Sequence, residues 1–275
     1  MTANHFPQAH TSDNELLEPM QAATHAVARF LNGAVVQTPA ATTWGDFAQR
    51  FDALDKPAAD LLREHLSPLR PQAAWGEEME TELPASGEVW VVDALDGAVQ
   101  FLQDMPYWSI SVTLVRDRRP VATVLHSPLR AETYTAAAGH GAHRNGRPIQ
   151  PSLKTDLKIS LLGTSQPPTI AAEPEAIAGA GRSLSAVLPF AGAVRNLGPT
   201  SWQIADTAAG RIDAFWEYGV DDSNLLGAAL VAAEAGALVT DLACRPWQAG
   251  ASSFLAAPAQ LHDQLLKILN TSATP

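Results

Sequence analysis

The run EVWVVDALDGAVQF carries two carboxylates, Asp93 and Asp96, three residues apart and directly after the apolar, strand-like stretch Val89 to Val92. Two acids this close repel each other unless something positive lies between them, so the pair points to a bound cation. A hard ion such as Mg²⁺ takes carboxylate oxygens, carbonyls and waters, often completed by a substrate phosphate. Gly97 follows, free to turn the backbone so that its amide and that of Ala98 face an anion at a helix start. Spacing alone leaves the plainer reading open, because two Asp in a turn are more often solvated or cap a helix. A second acidic stretch, AAWGEEMETE, places Glu77 and Glu78 after a short apolar segment, with Asp55 further upstream. Glu80 and Glu82 read as a solvated face.

Four stretches, in order, carry a resemblance: WGEE, WVVDALDGA, GHGAHRNGRPI and RNLGPTSWQIADTAAGRIDAFWEYG. Together they resemble the motifs of the inositol monophosphatase family, Mg²⁺-dependent phosphatases of sugar and inositol phosphates, from about Asp55 to the C-terminal helix. The resemblance implies Glu77, Asp93 and Asp96 as metal ligands, with the Leu95 carbonyl beside them. It also implies Asp55 as the carboxylate assisting the attacking water, Gly97 and Ala98 at the substrate, and Glu217 on a substrate hydroxyl. The implied fold is α/β (α+β), a layered αβαβα sandwich with an antiparallel sheet first. The family's homodimer is implied as well.

The departures bear on the chemistry. Ala94 replaces the motif's proline, a change of backbone only. Ala98 replaces a threonine whose hydroxyl orients water in the family. Seven residues after Glu217 stands Asn224, in the register of the family's last metal-binding aspartate. Its amide oxygen can still ligate, but it brings no negative charge. Asp221 and Asp222 lie nearby, and Pro199 stands where serine or threonine is usual. Two readings remain open: hydrolysis of a small phosphate monoester by weakened machinery, or a catalytically silent member that binds a ligand or a protein.

Other candidates carry less. His140 and His143 flank a hairpin turn, where histidines are more often surface residues. Gly179 to Gly181 is too little for a dinucleotide site, and Ser165 lacks an accompanying His–Asp signal. Cys244 reads as a small packed residue.

The elements that must position these groups are legible in outline. Residues 1–12 read as a loose tail. Met20, Ala23, Val27 and Leu31 have helical spacing, with Pro19 in the first turn. TTWGDFAQRFDAL and PAADLLREHLSPL predict a helical region interrupted near Asp55 to Pro57, since proline lacks an amide donor. WSISVTLVRDRRPVATVLHSP predicts two antiparallel strands joined near Asp117 to Pro120, and Asn145-Gly146 a type I′ hairpin. LKISLLGTS opens a second half as a buried strand. A helix, a short strand, the helix SWQIADTAAG ended by Gly210, the strand IDAFWEYG and the helix LLGAALVAAEAGA follow. LVTDL, SFLAA and the amphipathic AQLHDQLLKIL close the chain. The expected division is 1–150, with the metal motifs, and 151–275, completing the site.

Composition sets the outer bounds. Of 275 residues, 46% are apolar and 17% charged, so a packed core is expected and disorder is not. A net charge of −11 argues against sequence-independent nucleic-acid binding, which relies on basic side chains neutralising phosphates. The single Cys244 allows no intrachain disulfide. The N-terminal stretch has neither a basic nor an apolar signal region, and no run is long enough to span a bilayer. The expectation is a cytoplasmic protein whose partner is a small phosphorylated substrate.

Overall fold

The computed structural model describes residues 11–33, 41–77 and 83–271. Most of the expected tail, and with it Glu78, Glu80 and Glu82, lies outside them. The chain opens with α1 (Thr11–Asn14), α2 (Leu17–Gly33) and α3 (Trp44–Leu66), the first of these beginning inside the expected tail. Strands β1 (Ala74–Glu77) and β2 (Glu88–Asp96), the short helix α4 (Ala98–Leu102), then β3 (Ser109–Arg116) and β4 (Arg119–Ser127) follow. Next come β5 (Glu132–Ala137), β6 (Ala142–Arg144), β7 (Arg147–Pro148) and β8 (Leu161–Thr164). The remainder is α5 (Pro174–Val187), β9 (Ala193–Arg195), α6 (Thr200–Ala208), β10 (Ala214–Tyr218), α7 (Asp222–Glu234), β11 (Leu238–Thr240), β12 (Ser253–Ala257) and α8 (Ala259–Thr271).

The helical region 44–66 runs through Pro57 without the expected break. Proline removes the bond to the carbonyl four residues earlier. Ala53 and Pro57 are both exposed, so water can take that carbonyl. Meanwhile Ala58, Ala59, Leu62 and Leu66 are buried and hold the helix down. The Asn145-Gly146 turn has positive φ at both residues, 49° and 73°, as the hairpin signal predicts.

Strands β1 to β7 form one sheet in chain order, antiparallel except for the edge pair β1–β2, which is parallel. The second sheet has the order β11-β12-β10-β8-β9. Helices α2 and α3 cover the outer face of the first sheet over Trp90, Val92, Ile110 and Val112. Its inner face, including Val89 and Val91, packs with α6, α7 and the Phe215 and Phe254 side of the second sheet. Helices α5 and α8 cover the far side over Leu162, Trp216 and Leu255. The order is helix, sheet, helix, sheet, helix: the expected five-layer sandwich.

The middle layer explains the composition of α7. Every residue from Asn224 to Ala232 is buried, because sheets lie on two sides of the helix; no amphipathic stripe is needed. Gly227 lets α7 approach the first sheet. A Cβ there would lie 2.5 Å from Thr123 Oγ1 and closer still to Thr113 Oγ1, hydroxyls that are themselves paired at 3.0 Å. At the outer edge, buried Asp13 accepts two bonds from Arg116, at 2.8 and 2.7 Å, and Glu88 accepts from the same guanidinium. That fork ties α1 to β2 and β3. Among the described residues no helix is long and apolar enough to cross a membrane.

Two measurements check this packing. Gly227→Ala gains helix propensity but overpacks the α7–sheet contact. It should lower stability by about 1–3 kcal/mol in urea unfolding; a neutral or stabilising result would contradict the close approach. The second concerns His126 on β4, whose ring centroid lies 4.4 Å from that of His25 and whose Nδ1 pairs with Thr133 Oγ1. Burial first, then repulsion from His25, pushes its pKa from 6.5 down to about 4. The unfolded chain therefore binds the extra proton first, so this contribution is complete above pH 6.5 and lost as pH falls towards 4. Unfolding free energy followed across that window should decline, and His126→Gln should flatten the decline.

Candidate functional site

The acidic pair does not sit in a turn after β2; it is the end of β2 itself. In a regular strand residues three apart point to opposite faces. Here Asp93 lies opposite Ser111 and Asp96 opposite Ser109, so three steps on β2 match two on β3. A β-bulge absorbs the extra residue. Because Ser109 and Ser111 share a face, Asp93 and Asp96 share one too. It is the face of Val89 and Val91, turned towards α6 and α7.

Both carboxylates are buried, at 5% exposure each. Asp93 Oδ1 accepts the Leu95 amide at 3.0 Å, which pins the bulge. Asp96 Oδ2 accepts the Ser109 hydroxyl at 3.2 Å and the Ser201 hydroxyl from the first turn of α6. Gly97 then turns the chain into α4 at φ 95°. A Cβ on it would meet the Tyr107 carbonyl oxygen at 2.7 Å and Pro199 Cγ at 3.1 Å, so glycine is required by both angle and space. Ala98 opens α4 and packs against the outer core beside Phe101.

A second acidic group faces this one across the start of α6. Glu217, on β10 and 1% exposed, has Thr200 Oγ1 at 3.5 Å, and Thr200 also donates to Ser165 Oγ at 2.7 Å. Burial, and then the adjacent Asp221, push the Glu217 carboxyl well above the usual carboxylate range. Asp221 precedes α7 and accepts the Asn224 side-chain amide at 2.9 Å. Asp222 turns elsewhere, to the Gly250 amide at 2.7 Å. From Asp96 the contacts run through Ser201 and its neighbour Thr200 to Glu217, Asp221 and Asn224.

Glu77 ends β1 opposite Val92, one residue short of Asp93. Its Oε1 lies 2.9 Å from Trp75 Nε1 and 3.4 Å from Arg63 Nη2. Asp55 is half-buried in the middle of α3. Among the described residues no group of three or more His, Cys, Asp or Glu side chains is placed to hold a metal ion. The donor chemistry fits a hard divalent cation, since Asp93, Asp96, the Leu95 carbonyl and Asn224 offer only oxygen ligands. The charge comes from the β2 pair.

Ser109, Thr200, Ser201 and Asp221 belong to this cluster and carry no separate motif. Ser201 meets Asp96 across 105 residues of chain, a pairing that no local pattern encodes. Asp221 had one readable signal, a spacing of one helical turn from Asn224.

The Ser201 contact can be weighed directly. Hydrogen bonds to a charged group contribute about 1.5–3 kcal/mol, so Ser201→Ala should destabilise the protein by that order. The effect should shrink when Asp96→Asn is already present. Equal losses in both backgrounds, read by urea unfolding, would detach the hydroxyl from the carboxylate.

An inositol-1-monophosphatase of Mesorhizobium japonicum is 31% identical over 208 residues, covering 72% of this chain and 73% of that protein. A Nus factor SuhB of Pseudomonas aeruginosa is 34% identical over 166 residues, 58% of this chain and 60% of that protein. The structure of inositol monophosphatase from Anabaena (Nostoc) is similar with a TM-score of 0.81 at 25% identity, covering 94% of this chain and 96% of that chain. Residues 17–274 match the sequence family described as the inositol monophosphatase family. On that match, with the layer order and motif register already given, the chain belongs to the inositol monophosphatase family.

Proposed function

We propose that the protein is a Mg²⁺-dependent phosphatase of small phosphate monoesters, of the inositol-phosphate or sugar-phosphate kind. The observation that carries this reading is the bulge that turns two buried carboxylates, Asp93 and Asp96, to one face beside the Gly97 turn. Family membership supports the phosphatase chemistry. The proposed ligands are Asp93 and Asp96, with the Leu95 carbonyl, the Asn224 amide oxygen and, once released from Trp75 and Arg63, Glu77. When bound, the ion supplies a polarised phosphate and a water of lowered pKa.

The remaining roles fall to this chain's own groups. The backbone at Gly97 and Ala98 receives the phosphate. Asp55 takes the proton of the attacking water, acting without the hydroxyl that Ala98 cannot offer. Glu217 meets a substrate hydroxyl. This reading carries with it a homodimer working in the cytoplasm.

A second reading has an observation of its own. Ala98 has no hydroxyl, Asn224 brings no charge, and Glu77 is engaged with Trp75 and Arg63. A related protein is named as a Nus factor rather than as a phosphatase. A silent member that binds a ligand or a protein would retain the fold and lose these groups.

Phosphate release over a panel of inositol, sugar and nucleotide phosphates at saturating Mg²⁺ separates the two. Slow turnover is expected, abolished by Asp93→Asn. Ala98→Thr with Asn224→Asp should raise the rate by about 10²–10⁴-fold, the scale of a positioned acid–base contact. Absence of turnover in both the wild type and the folded double variant would favour the silent binder.

A further inference from the structure

An amide ligand differs from a carboxylate in one respect that the α7 start makes consequential. A carboxylate presents an oxygen on both sides, so it serves a cation in either orientation. Asparagine presents oxygen on one side and an NH₂ on the other, and rotation by half a turn exchanges a ligand for a repulsive donor. Asn224 therefore needs something to settle which way its amide faces.

Asp221 supplies it. It lies at the residue before α7, one turn from Asn224, 4% exposed, and its Oδ1 accepts the Asn224 Nδ2–H at 2.9 Å. The reversed amide would set two oxygens against each other in a buried space, so the observed orientation is held strongly. With Nδ2 on Asp221, the Asn224 oxygen is presented on the opposite side. On its other side Asp221 lies against the buried Glu217 carboxyl. Asp222, its neighbour in the chain, makes no such contact and bonds Gly250 instead.

We propose that Asp221 is a positioning residue: it fixes the Asn224 amide so that its oxygen, rather than its NH₂, is offered to the divalent cation. Its role is orientation, not replacement of the lost charge. This rests on the metal-dependent reading above and assigns how an uncharged residue serves at that position. Partners that orient a metal ligand typically contribute about 10–100-fold in metal affinity.

The test is calorimetric titration of the full chain with MgCl₂, which requires no turnover. Asp221→Ala should weaken Mg²⁺ binding by about 10–100-fold. Asp221→Asn loses the charge but keeps an acceptor, and should stay within about threefold of wild type. On the Asn224→Asp background, where both sides of the ligand are oxygen, Asp221→Ala should cause no loss. A drop in Asp221→Asn as large as in Asp221→Ala would make the role one of charge and overturn the proposal. So would the same drop on both backgrounds. If Asp221→Ala lowers the unfolding midpoint, Asp221→Leu, close to Asp in shape, takes its place in the same comparison. Wild type that binds Mg²⁺ with Asp221→Ala unchanged overturns this assignment alone. Wild type that takes up no Mg²⁺ at millimolar concentration overturns it together with the metal-dependent reading.

Discussion

The bulge in β2 is the constraint on which the site depends. Alternation along a strand would send Asp93 into one layer of the sandwich and Asp96 into the other. One extra residue between them, pinned by the Leu95 amide on Asp93, brings both carboxylates to the inner face. Bulges recur where a side chain must be re-aimed at the end of a ladder. The same irregularity ends β2 and delivers the chain to Gly97, whose left-handed turn fits against the Tyr107 carbonyl and Pro199. Carboxylate placement and the Gly97 turn are thus one backbone event.

Burying two acids has a large desolvation cost unless hydrogen bonds or an ion offset it. The fold answers with hydroxyls. Ser109 from the neighbouring strand and Ser201 from α6 both donate to Asp96, so the first sheet and the middle helical layer are joined at the site. Across α6 the same pattern recurs, with Thr200 beside Glu217 and the Asn224 amide on Asp221. Neutral donors hold acidic groups here.

This arrangement needs helices held close between two sheets. The small residues of α7 allow that, with Gly227 seated over the Thr113 and Thr123 hydroxyls. A helix packed on two sides cannot show an amphipathic stripe, and α7 shows none. Its start, carrying Asp221 and Asn224, is therefore fixed from both sheets rather than left at a surface.

Sequence by itself determined most of the elements and the family. Local signals suffice for that, because helical periodicity, turn residues and short acidic motifs are written in neighbouring residues. The layer order followed from the motifs' resemblance, which also named Asp93, Asp96, Glu217 and Asn224 as candidates by register. Local signals misled where the surroundings decided. Pro57 breaks an isolated helix but not one whose freed carbonyl faces water and whose other face is buried. Only the tertiary structure decided that Asp93 and Asp96 share a face, since that depends on pairing with β3. It alone put Ser201 on Asp96 and turned Asp221, rather than Asp222, towards Asn224. The Ser201–Asp96 contact joins residues on different elements, whose spacing in the chain holds no trace of their distance in space; at the start of α7 the spacing was visible, and packing chose between the two acids.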